Sequence, residues 1–312
     1  MPTLVNARWA PSTADKYGPG WEKWKAWCRR HPESKPCPAS SFYIALDLND
    51  LVLEKCRYGA LDTAAAAIRW GNLKDGLQNP MENDFLSIVL EGAKRTIGKP
   101  PSQQKEPMLP EMVRRVMDRI GRSSNLIDRR TSLICILGFS GFMRISELLA
   151  VQVKHIQIKS EHLKIFIPKA KNDQQRQGHI IHIKRTNTTY CPVTALSEYL
   201  ALTKLGQNEE NFIISRLAKT KFGHNAHGRR PLTDTSVRDI FNREVAPTCY
   251  SEEPGSYSLH SLRSGGASAA SNNGISDRLI GKHGRWKSGF SRDRYIKDNK
   301  RQRLSVTNSL GL

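Results

Sequence analysis

Residues 99–110 read KPPSQQKEPMLP, with prolines at positions 100, 101, 107 and 110. Each proline lacks a backbone N–H and pushes the residue before it out of the helical region, so no regular element is expected to cross this stretch. A chain of 312 residues interrupted there builds two cores rather than one. The expected division is a first domain over 1–98, an extended linker over 99–110 and a second domain over 111–312.

Before the linker, apolar residues recur at helical spacing. Tyr17, Trp21, Trp24 and Cys28 form one stripe of STADKYGPGWEKWKAWCRRH, with Gly18, Pro19 and Gly20 as a candidate break. DTAAAAIRW reads as an alanine helix opened by Asp62 or Thr63, whose small side chains let a neighbouring helix come close. NDFLSIVLEGAKRTIG places Leu86, Leu90, Ala93 and Ile97 on one face, with Gly98 as C-cap. The first domain is therefore expected to be a bundle of four or five short helices.

After the linker, EMVRRVMDRIG and RRTSLICILGFSG read as helices, the second apolar enough to be buried. The period then changes to two: Val151, Val153, Ile156 and Ile158, then Leu163, Ile165 and Ile167, then Ile181 and Ile183, three short antiparallel strands. From CPVTALSEYLALTKLG onward, with Pro192 in the first turn, the chain returns to helices. The fold class expected is mainly α with a small antiparallel β-sheet.

Forty-nine lysines and arginines stand against 29 acids, a net charge of +20, and this excess implies a polyanionic partner, nucleic acid before membrane. No apolar run approaches the ~18 residues that span a bilayer, and MPTLVNARWA lacks the apolar core of a secretory signal, so an intracellular protein is expected. The six cysteines at 28, 37, 56, 135, 191 and 249 form no C-x-x-C pair, and reduced thiols are expected. His179 with His182, and His224 with His227, have H-x-x-H spacing, but no cysteine or carboxylate pattern completes a zinc site; they read as strand and loop residues. Neither metal nor nucleotide cofactor is expected.

Three segments carry candidate chemistry. In SGFMRISELLA, Arg144 follows a glycine turn and has Glu147 three residues on; a guanidinium beside a buried helix needs an anion, either Glu147 alone or Glu147 with a phosphate. In SLHSLRSGGASAA, Ser258 is a candidate cap, and His260 and Arg263 are i, i+3 neighbours on one helical face. The small residues from Gly265 to Ala269 suit a tightly packed helix. In GKHGRWKSGFSRDRYI, Arg285, Trp286 and Tyr295 follow another glycine turn.

In this order the segments resemble the tyrosine recombinase (phage integrase) family. Its pattern is an arginine in R-x-S-E-L, a lysine in a strand hairpin, H-x-x-R, a histidine or tryptophan, and a nucleophilic tyrosine. Arg144 to Leu148 matches the first motif, His260 to Arg263 the third, and Trp286 precedes Tyr295 by nine positions, the family's offset. Trp286 stands where many bacterial members have histidine, and with the GRWKS context it likens the chain to Cre-like enzymes and to recombinases of eukaryotic mobile elements of the DIRS, Ngaro or Crypton kind. His283, twelve positions before Tyr295, reads as a loop residue.

The resemblance implies a helical core-binding domain and a catalytic domain that close as a C-shaped clamp on duplex recombination sites, acting as a homotetramer, with a nuclear location if the host is eukaryotic. Tyr295 would attack a phosphodiester to form a 3′-phosphotyrosine link. Arg144 and Arg263 would neutralise the phosphorane, His260 would transfer a proton or contact phosphate, and Trp286 would donate its indole N–H. Lys171, in preference to Lys169, would protonate the leaving 5′-oxygen, and Glu147 would orient Arg144. A domesticated DNA-binding protein that no longer cleaves and a type IB topoisomerase-like enzyme are the alternatives; a basic RNA-binding protein is weaker, since no RNP or KH pattern appears.

Overall fold

The structure, a computed structural model, describes residues 9, 11–99, 104–168, 178–221, 223–249 and 257–311. The chain divides into two compact units, residues 1–103 and 104–312.

The first unit contains α1 (Pro11–Arg30), α2 (Ser41–Leu53), α3 (Tyr58–Lys74) and α4 (Asp84–Ile97). Contrary to the break expected at Gly18–Gly20, α1 runs through Pro19, which is exposed, so its missing N–H faces water rather than a dry core. Gly20 is needed: a Cβ there would stand 2.8 Å from Ala67 Cβ, the close approach that the alanines of α3 permit. That helix begins at Tyr58, earlier than the opening expected at Asp62 or Thr63. Thr63 bonds back to Gly59 O at 2.7 Å, and Asp62 pairs with Lys94 at 2.7 Å. The core gathers Trp24, Trp27, Ile44, Leu48, Leu61, Ile68 and Leu86, and Trp27 donates Nε1–H to Asp50 at 2.8 Å.

The second unit opens with Met108, fully buried within the stretch read as linker, its N–H donated to Ser261 O at 2.9 Å. It continues with α5 (Pro110–Ile120), α6 (Leu126–Ser140) and α7 (Ile145–Leu149). Strands β1 (Ile156–Ile158), β2 (His162–Ile167) and β3 (His179–Lys184) form an antiparallel sheet in which Ile165 lies opposite Ile156 and Ile181. Leu163, Ile165, Ile167, Ile181 and Ile183 are buried, so one face of the sheet covers the core. Val151 and Val153 lie outside this sheet: Val151 O accepts from Ile213 N–H at 3.1 Å, and Val153 N–H donates to Asn211 O at 2.8 Å.

After α8 (Pro192–Thr203) comes a hairpin where only helices were expected, β4 (Ser215–Thr220) paired with β5 (Gly223–Pro231). Helices α9 (Asp234–Ile240), α10 (Leu259–Asn272), α11 (Asp277–Gly284), α12 (Gly289–Asp293) and α13 (Lys300–Asn308) complete the unit. No described helix is long and apolar enough to cross a membrane.

The glycines of α10 let it pass through the middle of this unit. A Cβ on Gly265 would strike Met108 O, and one on Gly266 would strike Phe139 O and come within 2.7 Å of the Phe142 ring. Backbone on both sides cannot yield as a side-chain tip would. Gly266→Ala is therefore expected to lower the unfolding free energy of the second unit by about 3 kcal/mol, read from a denaturant melt; an unchanged midpoint would show that α10 has room to shift.

Candidate active site

Two helix ends frame the site. At the end of α6, Met143 N–H donates to Gly138 O at 3.1 Å, a turn that requires a left-handed residue between them, here Phe142 with φ +44°. A side chain in that conformation is disfavoured by ~1–3 kcal/mol. It turns the Phe142 carbonyl to accept from Arg263 Nη1 and, at 2.7 Å, from Arg285 Nη2. The end of α11 repeats the device: Trp286 N–H donates to Gly281 O at 3.0 Å, and Arg285 is the left-handed residue, φ +60°. Arg263 Nη2 donates to Gly284 O, tying α10 to this second end.

Glu147, on α7 and 1% exposed, joins the guanidiniums. Its oxygens lie 2.6 Å from Arg144 Nη1, 2.7 Å from Arg285 Nη2 and 3.9 Å from Arg263 Nη1, and Oε2 also accepts the Arg144 N–H at 2.9 Å. Burial by itself raises the Glu147 carboxyl, but the pull of Arg285, the Arg144 N–H and the other two guanidiniums exceeds it, and the pKa lies below the ordinary value. Burial, then the charges of Arg144 and Arg285, push Arg263 downward, with Glu147 opposing; the guanidinium remains protonated at neutral pH. Three cations and one carboxylate leave this pocket two positive charges in excess.

Of the residues singled out in the sequence, Arg144, Arg263, Trp286 and Tyr295 meet here. Arg263 is fully buried, its Cζ 4.3 Å from the Trp286 ring centroid and 5.1 Å from that of Tyr295, and the two rings are 5.2 Å apart. Arg263 Nε and Trp286 Nε1 are buried donors with no partner among the described residues. The segment bearing Tyr295 is fastened to α10 through Ser268, whose hydroxyl donates to Tyr295 O at 3.3 Å and accepts Lys297 N–H at 2.9 Å.

His260 occupies the first turn of α10 and is exposed, whereas Arg263 on the next turn is buried, so the pair sits at two depths. Ser258 stands at the N-cap, but the cap bond there is accepted by the Ser261 hydroxyl, from Ser258 N–H at 2.9 Å. Lys169 and Lys171 lie outside the described residues. His283 belongs to α11 rather than a loop; its Nε2–H donates to Ser140 O at 2.9 Å, and burial holds its pKa below the usual imidazole value. A mostly apolar cavity of about 340 Å³, lined by Ile181, Ile280, Phe142 and His283 with Lys282 as its one lysine, adjoins these residues.

Phe142 and Ser268 are not foreseen as parts of the site, and Arg285, noted beside Trp286 in the sequence, is given no role there. Nothing local distinguishes Arg285 among the 49 basic residues, since its burial depends on α11 ending against the end of α6. A hydrophobic residue in the left-handed position, as at Phe142, carries no signal either, because such turns normally take glycine.

The model of the phage integrase family matches residues 104–302. An integrase/recombinase XerD homolog of Selenomonas ruminantium is 26% identical over 305 residues, covering 95% of this chain and 86% of its own length. Among solved structures, a lambda integrase(75-356) dimer bound to a COC′ core site superposes with a TM-score of 0.55 at 18% identity, covering 96% of this chain and 93% of that one. XerH site-specific recombinase bound to its palindromic difH substrate, a post-cleavage complex, gives a TM-score of 0.58 at 15% identity over 87% of this chain and 72% of that one.

Proposed function

The chain belongs to the phage integrase family, and from that premise we propose that it breaks and rejoins duplex DNA at specific sites through a covalent link to Tyr295. The observation that carries this reading is the excess charge of the pocket, two guanidiniums beyond what Glu147 neutralises, with the Tyr295 ring against the most buried of them. A phosphodiester brings one negative charge and its phosphorane a second, so the match is better in the transition state than in the ground state.

In this scheme the Tyr295 oxygen attacks phosphorus, the bond to the 5′-oxygen breaks, and the DNA 3′ end remains as a phosphotyrosine ester. Arg144 and Arg263 take the non-bridging oxygens. Trp286 Nε1–H and Arg263 Nε–H supply the donors that have no internal partner. His260, at the exposed end of the same helix, takes the phenolic proton or contacts phosphate. Bond energy is held in the ester, so rejoining needs no nucleotide. Assembly as a homotetramer on two sites and the narrower likeness to Cre-like and eukaryotic mobile-element enzymes rest on Trp286 and the family pattern. The test is incubation with DNA flanking the gene: a protein–DNA band on a denaturing gel is expected, and its absence would remove the cleavage reading.

The proton for the leaving 5′-oxygen is assigned to Lys171. Lys171→Ala is expected to slow cleavage by about two to four orders of magnitude, and a 5′-bridging sulfur, which departs unprotonated, should restore the rate. Rescue of Lys169→Ala instead would move the role to Lys169, and rescue of neither would end it.

A further inference from the structure

Between residues 215 and 231 the β4–β5 hairpin carries Arg216, Lys219, Lys221, Arg229 and Arg230, with His224 and His227, and not one Asp or Glu. Elsewhere in this unit basic side chains find acids, as in Arg129–Glu198, Lys154–Glu210 and Arg292–Asp277, each at 2.8 Å. Arg216, Lys219, Arg229 and Arg230 are exposed, and among the described residues none of the four has a side-chain hydrogen bond or ion pair. Like charges so close repel one another, and a two-stranded ribbon whose inner side is covered only in part, at Ser215, Ala226 and Gly228, buries little to compensate.

The ribbon is nevertheless firmly rooted. Arg130 Nη1 donates to Ser215 O at 2.8 Å, Phe212 N–H to Gly228 O at 2.8 Å and Leu232 N–H to Ile214 O at 3.0 Å. Residues 211–213 are in turn bonded to Val151 and Val153, just beyond the α7 helix at whose N-cap Arg144 stands. A rigid arm of cations on the scaffold that holds the catalytic arginine suits a partner that reaches beyond the pocket. Two-stranded ribbons fit a DNA major groove, and spaced cations fit its phosphates.

We propose that the β4–β5 ribbon is a second DNA-contacting surface, separate from the catalytic pocket, on which Arg216, Lys219, Arg229 and Arg230 neutralise phosphates of the duplex away from the scissile one. This rests on the reading of duplex DNA as substrate.

The experiment measures duplex binding by the full chain as a function of salt, for wild type, for R216Q/K219Q/R229Q/R230Q and for R216K/R229K/R230K. Each lost phosphate contact lowers the slope of log affinity against log salt by about 0.9, and lowers affinity roughly four-fold near 0.2 M salt. The glutamine variant should therefore lose about 1.8 to 3.6 slope units, for two to four lost contacts, with an unchanged melting temperature, while the lysine variant keeps the wild-type slope. A glutamine variant with the wild-type slope, or a lysine variant as impaired as the glutamine one, would overturn the proposal while leaving the catalytic reading intact. A wild-type chain that binds no duplex would overturn both.

Discussion

Tyr295→Phe should bind duplex DNA with wild-type affinity and salt dependence while leaving no covalent band on a denaturing gel. The substitution removes one oxygen and keeps the ring that lies 5.2 Å from Trp286 and 5.1 Å from the Arg263 guanidinium carbon, so the pocket's packing survives. What disappears is the atom that would attack phosphorus. A neutral phenol is a poor nucleophile, and the excess positive charge beside the ring favours the dianionic phosphorane. The Ser268 hydroxyl is not available to take over, being engaged with Tyr295 O and Lys297 N–H. A Phe variant that still captured DNA would place the nucleophile elsewhere and dissolve the assignment.

The parts of this site legible in the sequence are those whose chemistry requires a residue type in a fixed order. Arg144, Arg263, Trp286 and Tyr295, which the fold brings together, could be picked out that way because the proposed cleavage of a phosphodiester needs fixed cations and a nucleophile, and few side chains supply them; His260, picked out with them, stays at the exposed end of its helix. The supporting residues could not. Arg285 and Phe142 act through left-handed backbone at two helix ends that lie far apart in the sequence and meet only after folding. The β4–β5 hairpin escaped notice because its alternation is carried by charged residues and by Leu217 and Ala226, opposite each other, too few apolar positions to show a period of two. Pro19 misled for the opposite reason: its rule is strict only where the lost N–H would be buried. Even within HSLRSGG, helical spacing placed His260 and Arg263 on one face but not at their two depths, since depth belongs to what packs against the helix.

Glu147→Gln should unfold the second unit more readily than any substitution on its surface, by about 3–5 kcal/mol at neutral pH, the usual consequence of removing one partner from a buried ion pair. The amide keeps an oxygen for one guanidinium, yet it brings an N–H₂ against the others, and the pocket passes from two excess positive charges to three. The pH dependence has a definite sign. Because the folded pKa of Glu147 lies below its unfolded value of about 4.3, the stability it contributes is complete above that pH and is lost as pH falls through the folded pKa. The deficit of the variant should thus be flat from neutral pH down to about 5 and shrink in more acid solution, as wild type itself loses the carboxylate. Anions should act in the reverse direction. Phosphate or sulfate drawn to the over-charged pocket binds the folded state alone and raises its stability with concentration, so each should recover more of the variant's stability than it adds to wild type. Denaturant melts at several pH values, with and without phosphate, separate this from a simple packing defect, which would leave a deficit indifferent to both; that indifference would show that Glu147 fills space in the pocket rather than balancing its charge.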